Sequence, residues 1–240
     1  MENNDLEEKP LDSNKHPKQD FQVERLAFFS DAVFAIAITL LVIEFKVPRI
    51  NSDTAFDDVV KQLWDLKYLF LATLLSFLLI ASYWRHHHRL FKYIHNYNGK
   101  IITINMLMLL PIIFFPFTTA FLAESFNSLF ANGKVNLNTY FLGLRLFLIN
   151  NFLASLMCYI FYWYAILKHK ELSYAMPEKE KFDSISGILF GLSIFGIITI
   201  ATFIIKENVI GLNIIGLAMW IAIIVWVMIK RKYKKKFAEK

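Results

Sequence analysis

Two side chains in this sequence can hold or move a charge where water is scarce, Asp31 and His87. Asp31 lies near the start of an apolar stretch, residues 26–45, long enough to cross a bilayer core as a helix, for which about 20 apolar residues suffice. A charge on such a helix costs roughly 2.5–3.5 kcal/mol at its centre and less near its end, so the acid calls for a function or a partner. Ser30 precedes it, and the second apolar stretch ends in SYWRHHHRLFKYI. Trp84 and His87, three apart, share one helix face there and can both reach the base of the first stretch. Ser30, Asp31, Trp84 and His87 are therefore expected to form one hydrogen-bonded cluster tying the two helices. The alternative is an interfacial tryptophan beside a wet histidine.

Other chemistry is poorly served. Neighbouring residues on a helix diverge by about 100°, so the run His86 to His88 cannot converge on one ion, and no metal site or cofactor is expected. No Ser/His/Asp set, His-Glu-x-x-His, glycine-rich phosphate loop or paired carboxylates meet at one depth, which argues against an enzyme. Arg145 sits inside the fourth apolar stretch, facing either the bundle or the interface, and topology places it at the opposite membrane face from Asp31.

The elements that must position these residues are membrane spans. With 56% hydrophobic and 16% aromatic residues among 240, 24 of them Phe, the chain is far more apolar than a soluble domain. Apolar runs at residues 26–45, 68–83, 101–122, 142–167, 185–205 and 209–229 predict an all-α polytopic membrane protein with six transmembrane helices. Its organisation is expected to be a disordered tail at 1–22, a six-helix domain at 23–230 and a basic tail at 231–240. The formal net charge is +6, and the basic residues are concentrated before the first span, after the second and fourth, and after the sixth. That bias predicts cytoplasmic termini and accounts for the charge without a nucleic-acid partner. No signal peptide precedes the first span, which is expected to target the chain itself. The single cysteine, Cys158, allows no intrachain disulfide.

The connections leave readings open. Residues 51–61, with Asp53, Asp57 and Asp58, read as a solvated acidic loop or as an outer vestibule that concentrates cations. Pro48 is expected to end the first helix. Pro111 and Pro116 in the third span are hinges or packing adaptations. Gly187 and Gly191 form G-x-x-x-G, which lets helices approach closely in scaffold or subunit contacts. Lys206, Glu207 and Asn208 form a tight hairpin between the last two spans, and no internal repeat is visible.

On a helix turning about 100° per residue, Ile36, Leu40 and Ile43 form one stripe with Thr39 at its edge, while Asp31 lies about 140° away. The stripe reads as lipid-facing or core residues, or as an apolar lining shared between copies, which could close a pore by dewetting. There is no T-V-G-Y-G, so a carbonyl-ring filter is absent.

Arg25, Phe29, Ser30 and Asp31 spell R-x-x-x-F-S-D at the mouth of the first span, and Trp84 and His87 supply W-x-x-H at the end of the second. Together these resemble the signature of the transmembrane-175 family of potassium channels, most closely its shorter prokaryotic members. The resemblance implies a homotetramer in the cell membrane whose first helices line the pore, with Ile36 as the narrowest ring and Thr39, Leu40 and Ile43 beyond it. It implies passive passage of potassium and other monovalent cations, with Arg25, Phe29, Ser30, Asp31, Trp84 and His87 as a gating network. The close match covers the first span and the end of the second; over the other four only the count and topology agree. A different class is a proton-coupled secondary transporter or proton leak titrating Asp31 and His87, although the broken helices and paired repeats common in transporters are not evident.

Overall fold

In the computed structural model, residues 19–129 and 137–238 are described, with the side chains of residues 19, 20 and 232–238 left aside. Among them the protein is helical: α1 (Gln19–Ile43), α2 (Phe56–Asp65), α3 (Lys67–Phe91), α4 (Gly99–Ser128), α5 (Leu137–Tyr162), α6 (Glu178–Ile204) and α7 (Val209–Ala238). Six of these are long and apolar enough to span a membrane, as the sequence predicts, and the protein is a multi-pass membrane protein. The tail expected at 1–22 lies outside the described residues up to residue 18, and α1 begins at Gln19. The basic segment expected at 231–240 carries the helix on to Ala238.

Three boundaries differ from expectation. The first span stops at Ile43 rather than at Pro48, because Phe45 N–H closes a short turn onto Val42 O at 3.1 Å and the chain then runs extended. Part of the 51–61 connection is helical: α2 is amphipathic, with Phe56, Val60, Leu63 and Trp64 on one side, Asp57, Asp58 and Lys61 on another, and no residue buried in the protomer. Its apolar face suits the membrane interface. The second span is two turns longer than its apolar run, since the basic and histidine-rich segment through Phe91 stays helical.

Two apolar cores hold the bundle. The larger joins α1, α3, α4 and α5 around Phe34, Ile80, Ile112, Phe115 and Phe161; the smaller joins α5, α6 and α7 around Phe141, Leu148, Ile194 and Ile215. Small residues set the approach. A Cβ on Gly143 would fall within 2.9 Å of Ser125 Cβ and 3.4 Å of the Leu122 backbone, so α4 and α5 meet in near-backbone contact there. Gly187 and Gly191 likewise seat His86 of α3 and Ser155 of α5 against α6. The buried Pro111 and Pro116 lie within an unbroken α4. Ile197, Phe203, Ile214, Trp220 and Ile224 of α6 and α7 stay exposed, as lipid-facing residues do.

At one end of the bundle two connections lock together. Asn98 caps α4 through Ile101 N–H at 2.9 Å, and Tyr174 N–H donates to Tyr93 O at 2.7 Å beside the bridge between Ile94 and Ser173. Here α5 ends in a wide π turn over Trp163–Lys168, closed by His169 N–H on Tyr164 O at 3.1 Å. Glu171 accepts from its own backbone N–H and from His169 Nδ1 at 2.6 Å, which holds its carboxyl below the usual carboxylate range. At the opposite end Asn208 caps α7 by accepting from Gly211 N–H at 2.7 Å, forming the expected tight hairpin.

Candidate functional site

α1 carries two faces with different work. Ser30, Phe34, Ala37 and Leu41 recur every three or four residues and, with Val23 two turns earlier, face the larger core, which fixes the rotation of the helix. That rotation turns Ile36, Leu40 and Ile43 outward, at 56%, 37% and 71% exposure within the protomer. Thr39 is exposed beside them and spends its hydroxyl proton on Ile36 O at 2.8 Å, leaving its oxygen as an acceptor. Phe29 and Arg25 continue the exposed face, with the Arg25 guanidinium 5.9 Å from the Phe21 ring. The stripe therefore does not fill the protomer's own middle. At its Ile43 end it borders an open crevice of about 770 Å³ shared with α3 and α4, where Glu44, Lys46 and Glu124 supply the charge.

Ser30, Asp31, Trp84 and His87 come together as two separate ties rather than the one cluster expected. In the first, Trp84 Nε1 donates to Asp31 Oδ1 at 2.9 Å, joining α1 to α3 at the protomer surface, where Trp84 is 40% exposed. In the second, buried His87 and Ser30 do not meet directly. His87 Nε2 bonds Asn105 Oδ1 at 3.0 Å, Asn105 Nδ2 donates to Ser30 Oγ at 2.9 Å, and Ser30 Oγ donates to Leu26 O at 2.9 Å. Asn105 on α4 is the residue that sequence reading missed. The split follows from helix geometry: Ser30 and Asp31 are consecutive and point about 100° apart, so one partner cannot serve both.

The chemistry of each tie is restricted. With the amide as placed, His87 donates from Nε2, and every further donor runs one way to a backbone carbonyl. The indole on Asp31 is a donor only and cannot relay a proton. His87 is wedged between aromatic rings, stacked on Phe91 at 4.3 Å and tilted to Phe34 at 5.6 Å, and its Nδ1 has no partner among the described residues. Both ties are thus suited to holding α1 in place, and neither forms a path linking Asp31 with His87.

Elsewhere the histidine run disperses, and no group of three metal-ligating side chains forms among the described residues. Arg145 faces the bundle: it pairs with Glu207 Oε1 at 2.7 Å, donates through Nε to Thr202 O at 3.2 Å, and lies 4.7 Å from the Phe203 ring. The last turn of α6 and the α6–α7 connection supply these partners, 57 and 62 residues away in sequence, so no local spacing announces them.

Residues 25–116 match the family model described as the endosomal/lysosomal potassium channel TMEM175. A protein named as a potassium channel in Chamaesiphon minutus is 42% identical over 108 residues, covering 45% of this chain and 52% of that protein. One so named in Streptomyces collinus is 36% identical over 100 residues, covering 42% of this chain and 47% of that protein. The chain thus spans about half the length of the curated relatives it matches. The crystal structure of a lysosomal potassium-selective channel TMEM175 homologue from Chamaesiphon minutus aligns with a TM-score of 0.62 at 25% identity, covering 86% of this chain and 98% of that one.

Proposed function

We propose that this chain is a member of the TMEM175 family and assembles as a homotetramer forming a potassium-permeable cation channel, a reading supported by the family match over residues 25–116 and by the bacterial relatives named as potassium channels. The observation that carries the proposal is the outward stripe of Ile36, Thr39, Leu40 and Ile43 on a helix whose opposite face is locked into the protomer. Four such stripes around an axis make an apolar lining with Ile36 as the narrowest ring, and an apolar constriction closes by expelling water. The Thr39 oxygens add a ring of acceptors for a partly dehydrated cation, with no carbonyl filter required. Six crossings put both termini on one side, and the basic bias makes that side cytoplasmic.

Gating in this reading is a rotation or tilt of α1, and the two ties set its resting position. The proton-transport alternative is less favoured, because among the described residues the His87 tie ends on Leu26 O and Asp31 accepts from an indole, which cannot relay a proton. The test is electrical. Purified protein in planar bilayers under opposed potassium and sodium gradients should pass non-saturating current reversing toward the potassium potential. Saturable flux that requires a proton gradient, or no current at all, would overturn the channel.

A further inference from the structure

We propose that the surface where α3, α6 and α7 adjoin, at the end of the bundle rich in basic residues, is a binding site for the headgroup of an anionic phospholipid. This goes beyond conduction and does not depend on it. The organising residue is His86, whose ring occupies the space left by the missing Cβ of Gly187, 2.7 Å from where that atom would stand. This seat brings α3 against α6. Cations from two helices lie within electrostatic range of the imidazole: Arg85 and Arg89 from α3 and Lys230 from α7. Arg85 is exposed, while Arg89 and Lys230 are half-buried.

None of the three makes an ion pair among the described residues. The nearby carboxylate of Glu180 is taken by Lys92 at 3.7 Å and reaches Arg89 only as a longer-range charge, so Arg85 and Lys230 are the less compensated pair. Like charges gathered from separate helices repel unless an anion joins them. Beneath them the wall is apolar and flat: Trp226 stacks on Phe190 at 4.6 Å, and Lys230 Nζ lies 4.8 Å from the Trp226 ring. The shielded indole N–H of Trp226 finds no acceptor among the described residues. Below this level the exposed apolar side chains of α7, including Ile224 and Val225, suit acyl chains.

Basic side chains over an apolar wall between spans match a lipid phosphate with its tails. A free anion would gain the charge but leave the wall uncovered. The general bias of basic residues toward one membrane side explains their number, but not their convergence on one histidine from two helices.

The test is native mass spectrometry of full-length protein in detergent, titrated with phosphatidylglycerol or phosphatidylcholine. Saturable phosphatidylglycerol binding, at least tenfold tighter than phosphatidylcholine, is expected. Each basic side chain near an anionic lipid contributes about fivefold, so Arg85→Gln with Lys230→Gln should weaken it by roughly tenfold or more. Lys168→Gln with Lys170→Gln removes the same charge from the same end and should leave it unchanged. Equal weakening by both pairs, equal binding of the two lipids, or displacement by millimolar inorganic phosphate would overturn the site, the last because it marks a free-anion site. Circular dichroism of each variant establishes that the helices are intact before its binding is compared.

Discussion

Trp84 Nε1 and Asp31 Oδ1 stand 2.9 Å apart across the α1–α3 contact, so the first membrane-spanning helix is fastened to the second through a carboxylate inside the membrane stretch. The fastening lies on the face of α1 away from Ile36. A change there shifts the stripe without touching it.

Trp84→Phe keeps an aromatic ring and removes the donor. Because Trp84 is 40% exposed, water can replace part of the bond, and the expected loss of stability is about 1 kcal/mol. Thermal unfolding in detergent measures it, and the proposed channel should show altered open probability with unchanged unitary conductance.

Asn105→Ala should cost more, about 2–3 kcal/mol, because it strands His87 Nε2 in the core and removes the donor to Ser30 Oγ, which keeps its bond to Leu26 O. Ser30→Ala with Asn105→Ala should be non-additive by about 1 kcal/mol in a double-mutant cycle of unfolding free energies. Strict additivity would mean that the two side chains do not share one network.

Arg145→Met leaves Glu207 and the Thr202 carbonyl uncompensated and should destabilise by about 2–3 kcal/mol. Glu207→Gln retains an acceptor and should cost less than half of that. Both sites are remote from the α1 stripe, so ion preference should not change, as reversal potentials would reveal.

Gly143→Ala places a methyl group against Ser125 and the Leu122 backbone in the α4–α5 seam. The helices must part there, at about 1–3 kcal/mol. Gly216→Ala, where nothing lies within 4 Å, is the matched control and should be neutral or slightly stabilising in the same melting measurement.

The six spans and the shared face of Ile36, Leu40 and Ile43 were legible because hydrophobic length and a 100° rotation are properties of one segment at a time, whereas the direction of that face depends on what packs against the rest of α1. The motif pairing of Asp31 with Trp84 was legible for the same reason, since each residue sits at a recognisable helix end. Asn105 was not: the third span also carries Thr118 and Thr119, and nothing local says which polar side chain meets α1. Arg145 posed the same difficulty, as its partners follow from how α5 and α6 pack. The break between α2 and α3 at Leu66 was hidden because no proline or glycine punctuates residues 56–70. The π turn at Trp163–Lys168 leaves no composition signal, its residues being as apolar as the helix before them.

Ile36→Asn tests the central claim most directly, through single-channel recording of reconstituted protein under opposed potassium and sodium gradients. A polar ring at the narrowest point should hold water, raising current severalfold and lowering preference for potassium over sodium. Unchanged conductance and ion preference in a correctly assembled protein would contradict a pore lined by α1.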